Sequence, residues 1–193
     1  MKGLIFAILL IFVSCADKEK INYKINATCE KIIVQDSSNK KTLHFLVSFY
    51  NPNEKEVVFF SNSYDVDSKQ KINKSAGICL RLNDTDIALV QPNSSTFVYI
   101  KPKEKIKMLY TYSKQYQKEE LKIDSSISID KQLNDVILYY KYNKKVMDSF
   151  LDKDKNENSN LVTPTSSFKV IFKKKVIEYR EKLTIEDVVK LIN

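Results

Sequence analysis

Glycine is nearly missing: the 193-residue chain holds Gly3 and Gly77 and no others. Loops that cradle phosphate need several glycines, because backbone N–H groups converge on a ligand only where no Cβ intervenes. A strained nucleophile elbow needs them too. Both patterns are excluded. Histidine is as scarce, with His44 alone. A Ser–His–Asp or Cys–His site, or a histidine-based zinc site, would have to use it. It lies in an alternating stretch, where a packed or surface histidine is the expected role. Arginine is limited to Arg81 and Arg180, although the net charge is +8. The excess is lysine, a hydrated point charge poorly suited to forked recognition of phosphate. Nucleic-acid binders show arginines clustered on a basic face, so no nucleic-acid partner is expected. The lysines read first as compositional bias and second as attraction to anionic lipid or glycan at an envelope.

A run long enough to cross a bilayer is also missing. The apolar stretch Leu4–Val13 is 10 residues, against the roughly 20 a spanning helix needs. Its length matches the central region of a secretory signal, with Lys2 as the charged lead-in. Phe12-Val13-Ser14-Cys15 follows, and the sequence turns charged soon after Ala16. This tetrad resembles the lipobox of bacterial lipoprotein signal peptides. Phe12 stands where that family usually has Leu, and its apolar ring suits the same site. The resemblance implies that residues 1–14 are removed and that Cys15, the new first residue, takes a diacylglycerol on its thiol and an acyl group such as palmitate on its amine. Several acyl chains at about 0.8 kcal/mol per buried CH₂ make a firm membrane anchor. Ala16 stands where relatives retained at the inner membrane often have Asp, so the resemblance implies an outer-membrane address. Residues 15–20 would be a short tether.

The remainder suffices for one domain with a full core. From Ile21 the apolar residues alternate, the strand signature. Ile21, Tyr23, Ile25, Ala27 and Cys29 share a face that continues to Ile33. Asp36–Lys41 reads as a turn. Leu43, Phe45, Val47 and Phe49 alternate against His44, Leu46, Ser48 and Tyr50, up to Asn51-Pro52-Asn53. Val57–Phe60 is apolar on both faces, which predicts a central or covered strand. Ile78–Leu82, the turn Asn83–Asp86 and Ile87–Val90 predict a hairpin. Met108, Tyr110 and Tyr112 continue a stripe begun by Ile106. Gln115–Leu121 reads as a helical turn, and Ile127 with Ile129 as a short edge strand. Val136–Tyr142 is a strand, Val146–Leu151 is expected to pair back, and one long strand runs from Phe168 to about Tyr179. In the tail, Thr184 and Asp187 make a shortened capping box, and Ile185, Val188, Val189 and Ile192 form an apolar helical stripe. Such a short helix needs a surface to dock on, although it can also be displayed to a partner.

Leu43–Phe60, a strand, an Asn-Pro-Asn turn and a second strand, resembles the first hairpin of bacterial immunoglobulin-like sandwich domains. Phe97–Ile106 resembles another part of that fold. There the turn Pro102-Lys103-Glu104 carries Lys103 where the family often has Gly. The fold expected is mainly β: an antiparallel immunoglobulin-like β-sandwich of about 7–9 strands over residues 21–180, with an amphipathic helix over 181–193.

Candidate sites are few. Cys15 is the lipidation site. Cys29 and Cys79 can pair in an oxidising compartment, but their strand parities point them to opposite faces and favour two independent thiols. Asp65 with Asp67, and Glu119 with Glu120, are the carboxylate pairs an envelope hydrolase would use; charge-dense loops produce such pairs by chance. Asp152, Asp154 and Asn156 alternate as in a calcium loop, but Glu157 and Thr163 occupy the positions that need Gly and Glu, so no metal or cofactor is expected. Tyr50, Tyr99, Tyr110, Tyr112, Tyr139, Tyr140 and Tyr142 can line a glycan or protein surface; at strand spacing, packing is the commoner use. The expectation is a non-catalytic, lipid-anchored module that binds an envelope protein or glycan, with a structural lipoprotein of an envelope assembly as the alternative.

Overall fold

The computed structural model describes residues 23–37, 40–61, 64–65, 75–82, 85–91, 97–113, 128–148, 162–172 and 174–193. The strands are β1 (Asn26–Ser37), β2 (Lys40–Tyr50), β3 (Val57–Phe60), β4 (Tyr64–Asp65), β5 (Ser75–Leu82), β6 (Thr85–Ala88), β7 (Phe97–Ile100), β8 (Lys105–Ser113), β9 (Ile137–Lys141), β10 (Phe168–Phe172) and β11 (Ile177–Arg180). The helices are α1 (Ile129–Asn134), α2, described over 144–148, and α3 (Ile185–Ile192). The protein is mainly β with a short C-terminal helix.

One curled sheet runs in the order β4-β5-β9-β10-β1-β2-β8, with β6 beside β5 and β11 beside β1; β3 and β7 form a separate ribbon. The curl brings the flanks of the sheet together. Just past β6, Val90 exchanges both backbone hydrogen bonds with Thr111 of β8, at 3.1 and 2.7 Å. The ribbon packs against the inner face. Phe59 meets Phe49 of β2 at 5.0 Å between ring centroids and makes a T-shaped pair with Tyr140 of β9 at 5.8 Å. Val57, Phe59, Val98 and Ile100 share one core with Phe45, Leu80 and Leu138. Each such side chain taken from water contributes about 1.5–3 kcal/mol. The opposite face of β3 is covered as well, with Phe60 packed among Ala76, Val146 and Met147. That explains its doubly apolar pattern: β3 is a covered strand.

The sheet is mixed, which corrects the antiparallel expectation. β10 and β11 both run parallel to β1. Alternation reports which face a residue takes, and says nothing of strand direction. β1 also carries a bulge. Cys29 pairs with Val47 and Lys31 with Leu46, which leaves Glu30 as the extra residue. Parity reverses there, so the inner face passes from Ala27 and Cys29 to Ile32 and Val34. Ile33, expected inside with Cys29, lies on the outer face. Opposite the bulge, the single long strand expected from Phe168 to Tyr179 is two: β10 ends beside Cys29 and β11 begins beside Ile32. The predicted Asp36–Lys41 turn is tighter than expected, since β1 and β2 pair as far as Ser37 and Lys40. The predicted β5–β6 hairpin forms with a tighter turn than Asn83–Asp86, since Thr85 and Asp86 already pair with Leu82 and Arg81 and β6 ends at Ala88.

The two segments that resemble immunoglobulin-like hairpins are not hairpins. β2 pairs with β1 and β8, whereas β3 pairs with β7. Both connections are arches that carry the chain between the sheet and the ribbon. Asn51 holds them together. Its buried amide donates to the carbonyls of Lys55, Ile100 and Lys101 at 2.8, 2.9 and 3.1 Å. Its side-chain oxygen accepts from the Asn53 backbone N–H and side-chain amide at 2.9 and 2.8 Å. Its backbone N–H donates to Glu104 and its carbonyl accepts from Lys103. Lys103, in the place where the resemblance expects Gly, is left-handed at φ 60°. A Cβ is unfavourable there. Replacing Lys103 by Gly is expected to raise the melting temperature by about 2–4 °C; a fall in thermal denaturation would show that the Lys103 contacts to Glu54 and Pro52 outweigh the backbone.

Two further expectations are corrected by helices. Ile129 opens α1 and no edge strand forms there; Ile127 lies outside the described residues. Gln132, Leu133 and Val136 are buried, a helical spacing too short to stand out in the sequence. Lys175 caps the end of α1 by donating to the carbonyls of Leu133 (3.1 Å) and Asn134. Residues 144–148 are helical where a returning strand was expected. The Asn143 side chain accepts from the Val146 N–H at 3.4 Å, and Val146 and Met147 are buried.

Candidate functional site

The sequence-derived candidates occupy different places. Cys15, Asp67, Glu119, Glu120 and the acidic run 152–157 lie outside the described residues. Asp65 falls in the two-residue strand β4. His44 projects from the outer face of β2 into a buried setting. Its Nδ1 lies 3.0 Å from Thr111 Oγ1 and its Nε2 lies 3.2 Å from Gln35 Oε1. The Gln35 oxygen can only accept, so Nε2 carries the proton and Nδ1 accepts from the threonine hydroxyl. Burial lowers the pKa from 6.5 to about 4. The ring is therefore neutral at pH 7, with both nitrogens engaged.

Cys29 and Cys79 are both free and buried. Cys29 faces the inner core, whereas Cys79 alternates with Ile78 and Leu80 and faces outward. Desolvation pushes both thiols up to about 12, so neither supplies a thiolate nucleophile at neutral pH. Among the described residues no cluster of three metal-ligating side chains forms. The tyrosines divide by parity. Tyr110, Tyr112 and Tyr140 are core residues, Tyr99 is exposed on the far side of the ribbon, and Tyr50, Tyr139 and Tyr142 are half-buried. They do not form one platform.

Two charged constellations have no signal in the sequence. On the outer face of β5, Arg81 grips Asp86 of β6 in a two-pronged pair at 2.7 and 2.8 Å. The guanidinium also lies over the Tyr139 ring, 5.4 Å from its centroid. The hydrogen bond from Arg81 holds the Asp86 carboxyl below its usual range. The second constellation anchors α3. Lys31 pairs with Glu178 at 2.6 Å, Glu178 with Arg180, and Arg180 with Asp187 at 3.4 Å. Thr184 and Asp187 complete the predicted capping box: the hydroxyl accepts from the Asp187 N–H at 3.2 Å and the carboxylate accepts from the Thr184 N–H at 3.0 Å. From there α3 packs against β8. The apolar stripe read from the sequence is only partly used. Val188 and Ile192 are half-covered, whereas Ile185 and Val189 face solvent.

The outer face nearest the start of the domain is different in character. By register, Arg81 lies opposite Ile137, and Ile171 lies opposite Thr28. One step beyond the Val170–Leu138 pair, Ile171 falls beside Ile137. The two isoleucines are 65% and 41% exposed, where inward neighbours Val170 and Leu138 are buried. In the adjacent row Lys169 lies opposite Tyr139. A pocket of ≈ 230 Å³ opens nearby, lined by Tyr23–Asn26 and Ser166–Phe168. It offers Lys24 and two serine hydroxyls, with no general acid–base pair among its lining residues. Compared with known proteins, the chain matches no family model, no curated protein and no solved structure.

Proposed function

We propose that this is a lipid-anchored bacterial envelope protein, held through an acylated Cys15, whose β domain serves as a non-catalytic interaction module at the outer membrane. The observation that carries this reading is the run Leu4–Val13 ending at Phe12-Val13-Ser14-Cys15. The fate of the reactive side chains supports it. His44 is neutral and hydrogen-bonded on both sides, Cys29 and Cys79 stay protonated, and Tyr110, Tyr112 and Tyr140 are built into the core. The two-layer packing of curled sheet and ribbon supports a sandwich related to the immunoglobulin-like kind, with the parallel pairs of β1 as its departure from that plan.

Cys15→Ala tests the anchor. In the native envelope the wild-type protein is expected in the detergent-extracted membrane fraction, shortened by residues 1–14. The variant is expected to keep those residues and to run at the higher mass. A variant processed and extracted like wild type would contradict the reading.

A further inference from the structure

We propose that the outer face of β9, β10 and the first half of β1 rests on an anionic bilayer surface, with Ile137 and Ile171 as its apolar contacts. This rests on the lipid-anchor reading and adds an orientation to it. Three observations converge. Ile171 and Ile137 stand side by side on a sheet face, one of them two-thirds exposed. A solvent-facing sheet row normally carries polar residues, and here two exposed isoleucines take their place side by side.

The surrounding charge is the second observation. On β9 and β10 that face carries Lys141 and Lys169 by strand parity, with Arg81 beside it on β5. Among the described residues its acids are Asp86, already gripped by Arg81, and Glu30 on the bulge, paired with Lys105 at 3.2 Å. The net excess is positive, which complements anionic headgroups. Lysine suits this role, because a fluid layer of phosphates needs point charges and no forked geometry.

The third observation is where the chain enters. The described domain starts at Tyr23, and Asn26 opens β1 on this same face, beside the Lys169 row. Eight residue steps separate Cys15 from Tyr23, a reach of at most roughly 29 Å. An acyl group at Cys15 therefore keeps this end of the sheet close to the headgroups. The ribbon and Tyr99 lie on the opposite side of the core.

The protein contains no tryptophan, so a single introduced indole reports alone. The acylated full-length protein carrying Ile171→Trp is placed in vesicles of phosphatidylglycerol and phosphatidylcholine with brominated acyl chains. The protein carrying Tyr99→Trp is the control. The indole at position 171 is expected to shift to the blue and to lose fluorescence to the bromines, more strongly with phosphatidylglycerol than with phosphatidylcholine alone. High salt should reverse the effect, and the indole at position 99 should not respond. Adding Lys169→Glu to the first variant should reduce the anionic effect by more than about fivefold, the factor expected for one charge. If the protein floats with the vesicles but the two indoles behave alike, the face proposal is overturned and the anchor stands. If Cys15 carries no acyl group yet the indole at position 171 is still quenched by anionic vesicles, the anchor reading falls and the face stands. A response at position 171 only to added envelope protein would also overturn the bilayer assignment.

Discussion

Asn51→Ala is expected to cost about 3–5 kcal/mol and to loosen the junction between sheet and ribbon. The side chain is wholly buried and makes five hydrogen bonds. Truncation leaves carbonyls of Lys55, Ile100 and Lys101 short of a donor and the Asn53 amides short of an acceptor. An intact hydrogen bond contributes only about 1 kcal/mol, but a buried group left without a partner costs about 1–3 kcal/mol. Water can reach Lys55 and Asn53 at the surface, which keeps the total below the simple sum. Asn51→Asp should cost a comparable amount, because a carboxylate cannot donate to three carbonyls and is buried as a charge. Urea denaturation measures both. A loss below about 1 kcal/mol would show that the arches hold without Asn51.

Acid should destabilise the protein through His44. Free histidine titrates near 6.5, and the buried ring is held to about 4. Between those values the unfolded chain binds a proton that the folded protein does not. The stabilisation is thus complete above about pH 6.5 and is lost as pH falls to 4, by roughly 3 kcal/mol in total. Protonation also turns Nδ1 into a donor facing Thr111, whose backbone joins Val90 across the closure of the sheet. Asp86 and Glu178 have lowered pKa values and add their losses only at more acidic pH. His44→Leu should flatten the slope of unfolding free energy between pH 6.5 and 4.5. An unchanged slope in the variant would assign the acid sensitivity elsewhere.

What the sequence revealed follows from what alternation and local chemistry can encode. β2 alternates without interruption, so Leu43, Phe45, Val47 and Phe49 were legible as one face and His44 as a packed or surface residue of the other. That His44 is buried was not legible, because its partners Gln35 and Thr111 come from β1 and β8. Thr184 and Asp187 are three residues apart, so their capping box was legible too. The bulge at Glu30 was not, because one extra residue reverses parity without changing composition. The parallel pairing of β1 with β10 and β11 was not, because a strand pattern has no direction. Asn51 looked like a turn residue because its partners at Ile100 and Lys101 are about fifty positions away. The Lys31–Glu178 pair spans 147 positions. Ile137 and Ile171 each look like an ordinary strand residue, and only the register of β9 on β10 sets them side by side on the outer face.

Mass measurement of the first peptide of the protein purified from its native membrane bears most directly on the anchored reading. The peptide should start at Cys15 and carry the mass of a diacylglyceryl group and an amide-linked acyl chain. A first peptide that starts at Met1, or one whose Cys15 is unmodified, would contradict it.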